Sequence, residues 1–375
     1  MTSRFLTGVL AACLVASAMN TGRVGRLGAA SGSAGLQACQ WPPGSAPPQR
    51  SSRVGDPGKG LRDFRCGAFA PSVSADEPRA PRNAAEFDAL FQQVKNWGRW
   101  GADDQLGSVN LVTVAKRKQA AALVKTGETV SLAHNPLTEA APDNARPFEH
   151  TMLQGNNMDR YAVSYHGYAH SHIDALCHIL YKDQTYNGYA RADVNTDKGC
   201  AKLGIQNLKN GIVTRGVLVD IPRLRNLPYL EPGTPIYVED LEAWEKKSGV
   251  TIGSGDAVLV RTGRWTRRDK LGPWNVGQNA AGLHASVAPW IKTRGVALLG
   301  GDVASDLIPS RVEAVALPVH TLMITALGIN LLDNQDLEAL GETAARLNRW
   351  EFMLTINPVP VTGGTGFPLN AIAMF

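Results

Sequence analysis

Residues 257–261 read Ala257-Val258-Leu259-Val260-Arg261. This apolar, partly β-branched run is long enough for a strand and too short for a helix. Further along, Ala285 to Thr293 spaces its apolar residues as a helix does, and Gly295 to Gly300 reads as another strand. Working outward, Val130-Ser131-Leu132 and Ile212-Val213 with Gly216 to Asp220 read as strands. Ala84 to Val94 and Val112 to Val124 carry helical spacing, the second closed by Lys125-Thr126-Gly127. Asp240 to Lys247 opens on a capping Asp with an acidic first turn and stops before Gly249, which predicts a short helix. The alternation predicts an α/β fold with several long loops and no internal repeat. Gly253-Ser254-Gly255 precedes a strand rather than a helix, so it reads as a turn and not a phosphate cradle.

Charge separates the chain into two parts. The net charge is +5 in 375 residues. Residues 1–55 hold Arg4, Arg23, Arg26, Arg50 and Arg53 with no Lys and no acid, so the remainder is neutral. The folded body therefore carries no basic excess for nucleic acid. No apolar run reaches the ~18–20 residues of a membrane span. Phe5 to Ala18, after Arg4 and ending Ala16-Ser17-Ala18, has the layout of a secretory signal, which would make the protein secreted or periplasmic. An organellar transit peptide and a misplaced start codon are the competing readings, and without a signal the chain would be cytoplasmic. Residues 1–21 are thus a candidate targeting segment. Residues 22–83, rich in Gly, Ser, Pro and Arg, read as a disordered linker, and 84–375 as the folded domain. The five cysteines, Cys13, Cys39, Cys66, Cys177 and Cys200, form no C-x-x-C pair and assign no compartment. Cys177 reads as a small buried hydrophobe.

Four of the eight histidines fall in His166-Gly167-Tyr168-Ala169-His170-Ser171-His172-Ile173-Asp174-Ala175-Leu176-Cys177-His178. On an extended segment His170, His172 and Asp174 share one face. His178, four beyond Asp174, returns over the same spot on a helical turn. A lone histidine is ordinarily structural. Four with an Asp would repel one another if protonated, so metal binding is the better reading. Nitrogen and carboxylate donors suit Zn, Mn or Fe, and a set without thiolate favours an open, catalytic site. A helix near His320, a turn at Gly328 and the acid Asp333 could add distal ligands.

The cluster resembles the metal-binding motif H-x-G-T-H-x-D-x-x-x-H of the cyclase-like metal-dependent amidohydrolases, the family of bacterial kynurenine formamidase and isatin hydrolase. His172-x-Asp174-x-x-x-His178 matches the second half. Trp97 to Asn110, Asp256 to Gly263, Asp333 to Glu338 and Gly363-Gly364-Thr365-Gly366 also look like this family. The resemblance implies a single large swivelling β/β/α domain with a mixed β core flanked by helices, and assembly as a dimer or tetramer. It also implies hydrolysis of an amide C–N bond with one or two divalent ions. The substrate would be an N-formyl arylamine such as N-formylkynurenine, a tryptophan catabolite, or a cyclic amide. Two departures stand out. Tyr168 occupies the place of the opening histidine, with Ala169-His170 for Gly-Thr, so His170 or His166 is the substitute ligand. His320 matches the distal histidine, but Asp333 stands where the family has glutamate.

On this reading His172, Asp174, His170, His320 and Asp333 hold metal, and His178 completes the shell or moves protons. The absence of a G-x-S-x-G elbow disfavours an acyl-enzyme, and the absence of a dinucleotide fingerprint disfavours an oxidoreductase. A non-catalytic metal- or ligand-binding protein on the same scaffold is the alternative. Trp97 and Trp100 read as core more readily than as a pocket wall. Arg261 and Arg264 read as ion-paired or carboxylate-binding, and Asp302 and Asp306 as site-lining or turn-capping.

Overall fold

Helix α1 spans Ala84–Val94, with the Asn83 side chain accepting from the Glu86 N–H at 3.0 Å and Phe87, Phe91 and Val94 buried. The computed structural model describes residues 79–375. The candidate targeting segment 1–21 and residues 22–78 of the linker lie outside the described residues. Residues 79–83, which composition places in the linker, already bond to the body: Arg79 pairs with Glu239 at 2.6 Å and Arg82 with Glu86 at 2.6 Å.

The core is a nine-stranded mixed sheet. Its strands are β1 (Thr129–Ser131), β2 (His172–Asp174), β3 (Ile212–Asp220), β4 (Ala257–Arg261) and β5 (Leu298–Gly301), followed by β6 (Asn330–Asp333), β7 (Glu351–Ile356), β8 (Gly366–Pro368) and β9 (Ile372–Met374). Their order across the sheet is β1-β9-β7-β3-β4-β5-β6-β2-β8. The central strands β3 to β6 are parallel, and antiparallel strands extend the sheet on either side. Parallel strands covered on both faces need continuous apolar sequence, which is why Ala257 to Arg261 shows no alternation. Val258, Leu259, Leu298, Leu299, Leu331 and Leu332 are fully buried there. Each contributes roughly 1.5–3 kcal/mol.

The α/β class and the mixed core agree with the sequence reading, and the boundaries shift locally. The second helix, α2 (Val114–Ala121), starts at Thr113, whose hydroxyl accepts from the Lys116 N–H, and is shorter than the apolar spacing suggested. α3 covers Val238–Ser248, so Asp240 lies within its first turn and its carboxylate accepts from the Tyr237 N–H at 2.9 Å. α4 (Arg264–Leu271) has no apolar stripe to announce it in sequence; Trp265 and the Arg264 side chain are nevertheless buried. α5 (Ala288–Arg294) and α6 (Glu338–Leu347) complete the larger helices. Among the described residues no helix is long and apolar enough to cross a membrane.

Two glycines fix the approach to the site. Residues Pro318–His320 start a helix that widens to π-helical turns over Thr321–Leu327 and ends at Gly328, with φ of 69°. A Cβ on Gly328 would lie 2.4 Å from the Tyr186 ring. The Gly328 carbonyl in turn accepts from the Ser108 N–H at 2.6 Å, and a Cβ on Gly107 would lie 2.1 Å from that oxygen. Gly328→Ala should therefore cost about 2–4 kcal/mol from backbone strain plus overpacking. A thermal melt of the variant matching the parent would refute this packing.

Candidate metal centre

The sheet itself brings the first three groups together. His172 and Asp174 are alternate residues of β2 and share a face. In the β2–β6 ladder Asp333 is the direct partner of His172, so its carboxylate rises on that face. All three are nearly inaccessible to solvent. The helix ending at Gly328 adds His320, whose Nε2 lies 3.1 Å from Asp333 Oδ2 and 3.8 Å from Asp174 Oδ2. The predicted route from His320 through Gly328 to Asp333 is the observed one. A bend preceding β2 adds His166, with Nδ1 3.1 Å from Asp174 Oδ1. Two sets of ligand atoms result, His166/His172/Asp174 and Asp174/His320/Asp333, each within 4.8 Å and sharing Asp174.

Each imidazole spends one nitrogen on a fixed partner. His172 Nδ1 meets the His170 carbonyl at 2.8 Å, His320 Nδ1 meets Asp306 Oδ2 at 2.5 Å, and His166 Nε2 meets Thr365 Oγ1 at 2.9 Å. The other nitrogen of each ring faces the carboxylates. Such outer partners orient metal-ligating histidines and set their tautomers. Both oxygens of Asp174 and Oδ1 of Asp333 are buried without a hydrogen-bond partner. Buried carboxylates ordinarily find donors, so these oxygens, facing oriented imidazoles, fit a divalent cation. In the metal-free chain, burial alone would lower the His320 imidazole. Asp333 and Asp306 outweigh it and hold the group well above its usual range. His172 is likewise raised: burial opposes protonation but Asp174 prevails.

Three readings change. His170 does not share the face of His172, because the extended segment begins only at His172 and residues 166–170 form a bend. The His170 carbonyl, not its ring, serves the site, and the ring turns toward Phe148 and a cavity wall. Of the two named substitutes for the missing histidine, His166 is the one brought to Asp174. His178 follows a tight turn rather than a helical one, its N–H bonding the Ala175 carbonyl. It falls in neither ligand set. Its ring stacks on His166 with centroids 3.8 Å apart, and burial pushes its pKa down to about 4. Cys177 is not a free hydrophobe: it forms a disulfide with Cys200. That bond ties the turn after Asp174 to the 195–200 hairpin and closes a loop worth about 3 kcal/mol.

Other candidates resolve as structure. Trp97 packs on Phe91 and donates to the Thr325 carbonyl at 2.8 Å. Arg261 pairs with Asp220 and Glu338. Asp302 accepts from the Thr262, Gly263 and Arg264 N–H groups at the start of α4. Asp306 both caps the turn at Val319–His320 and orients His320. Tyr168 packs against a small cluster with Val276 and Ile308 and also lines the cavity beside the centre, and burial raises its phenol. A cavity of about 300 Å³ opens beside the centre, lined by Tyr165, His166, Tyr168, His170, Asn144 and Arg146 among others.

Residues 109–305 match the family described as "Putative cyclase". The crystal structure of a novel cyclase is 31% identical, with a TM-score of 0.69, covering 76% of this chain and 99% of its own. Isatin hydrolase A from Ralstonia solanacearum is 20% identical with a TM-score of 0.46, covering 66% of this chain and 91% of that one. A protein described as a predicted metal-dependent hydrolase from Bacillus stearothermophilus is 13% identical with a TM-score of 0.42, covering 66% of this chain and 97% of that one. No curated protein matches significantly. On the family match and the 31% identical structure, the chain belongs to the putative cyclase family.

Proposed function

We propose that the protein is a metal-dependent hydrolase that cleaves an amide C–N bond, in an N-formyl arylamine or a cyclic amide. One observation carries the reading: three imidazoles, each with one nitrogen tied to an outer partner, direct the other at two buried carboxylates with unpaired oxygens. His172, Asp174, His320 and Asp333 would hold the cation, with His166 joining at Asp174. When bound, a cation such as Zn or Mn polarises a carbonyl and acidifies water. The shared Asp174 leaves room for one ion or two neighbouring ones. His178, stacked on His166, outside both ligand sets and kept neutral by burial, would accept a proton from water and pass it to the leaving amine. The adjoining cavity would receive the substrate, with Tyr165 and Tyr168 as its aromatic wall.

The test is metal content of the purified protein followed by turnover of formanilide. Stoichiometric metal, turnover abolished by a chelator and restored by Zn or Mn are expected. Bound metal with no turnover on any amide tested would favour a non-catalytic metal-binding role, and absence of metal would end both readings.

A further inference from the structure

The cavity beside the metal centre has a wall of one charge. Asp143 is its only described acid, and Arg264 and Arg268 hold it at 3.0 and 2.7 Å. Arg146, exposed on the same wall, has no carboxylate partner among the described residues. With two arginines already set against one acid, Arg146 is a further cation at the mouth. Besides His166 Nδ1, which faces Asp174, two polar atoms on this wall, Asn144 Oδ1 and His170 Nε2, are buried with no hydrogen-bond partner. Their residues are 2% and 7% exposed. The Asn144 amide nitrogen already donates to the Leu137 and Glu139 carbonyls at 3.0 and 2.7 Å, so its oxygen is left as a pure acceptor. Cavities that bind small molecules combine a few such fixed polar groups with aromatic sides, and Tyr165 and Tyr168 supply the sides here.

We infer that the substrate is an anionic secondary amide, whose carboxylate is held by Arg146 and whose N–H is directed to Asn144, with His170 closing the polar wall. This rests on the hydrolase reading and names the substrate class for it. Arg presents a planar fork that suits a carboxylate. His166, the only ligand-set residue on the cavity wall, places the amide carbon beside the metal centre.

The test compares two probes on the metal-loaded full chain, formanilide and 2-formamidobenzoate, in the parent and in Arg146→Gln and Arg146→Glu. The parent should favour the carboxylated probe in kcat/KM, and that preference should shrink as salt is raised. Arg146→Gln should cut the preference by on the order of tenfold, and Arg146→Glu should cut it further. An unchanged preference in both variants overturns the assignment. If neither probe turns over, the hydrolase reading is what fails, and calorimetric binding of 2-formamidobenzoate then decides the anion site. Affinity that falls in Arg146→Gln sustains it, and equal affinity removes it.

Discussion

Replacing Asp174 with alanine will empty the metal centre while leaving the fold intact. Asp174 is the one residue common to both ligand sets, and neither of its oxygens has a hydrogen-bond partner. Even outer partners of metal ligands are worth 10–100-fold in affinity, so losing this ligand should cost more than about 100-fold. The β2 ladder runs through backbone groups that alanine keeps, but the substitution also breaks the buried pairing of Asp174 with His166 and His172. Its melting temperature should therefore fall below that of the metal-free parent while unfolding stays cooperative. His178→Ala should instead retain metal while kcat drops by about 10²–10⁴-fold, the usual range for a lost proton-transfer group. Metal analysis and kcat on both variants check this. Equal metal loss in both would make His178 a ligand, and a metal-replete Asp174→Ala would refute the centre.

Arg264→Met should destabilise the protein by about 3–5 kcal/mol, the range for breaking a buried ion pair by removing one partner. Its guanidinium is fully buried. It donates to Asn334 Oδ1 at 3.1 Å, to Asp143 at 3.0 Å and to the Tyr168 carbonyl. Burial pushes its pKa down to about 10, so it stays charged at neutral pH. Asn334 continues the tie, donating to the Gly167 carbonyl at 2.8 Å, and it directly follows Asp333. One side chain thus joins the histidine bend, the end of β6 and the cavity wall. Removing Asp143 as well should recover part of the loss, because that buried acid would otherwise be left with Arg268 alone. Urea unfolding of the two single variants and the double one measures this. A loss below about 1 kcal/mol in Arg264→Met, or no recovery in the double variant, would show that the clamp does not bear on stability.

Local pattern was enough for some of this protein. Ala84 to Val94, Ala257 to Arg261 and the stop at Gly249 follow from periodicity, burial and the φ that glycine allows, all properties of short windows. The pairing of His172 with Asp174 also follows, because a strand has a period of two. The route from His320 through Gly328 to Asp333 was legible for the same reason, being a helix, a left-handed glycine and a strand in series. Tertiary structure decided the rest. His166 reaches Asp174 only because Arg264, Asn334 and Thr365, from 98 to 199 residues away, hold the bend and its ring in place. Cys177 meets Cys200 because a separate hairpin folds back on the turn after Asp174. His170 is turned from ligand to wall residue because the strand starts at His172, and that start is set by hydrogen bonds to β6 and β8. A period places side chains on a face within one element. Which faces meet is set by burial and by polar groups that must find partners across the whole chain.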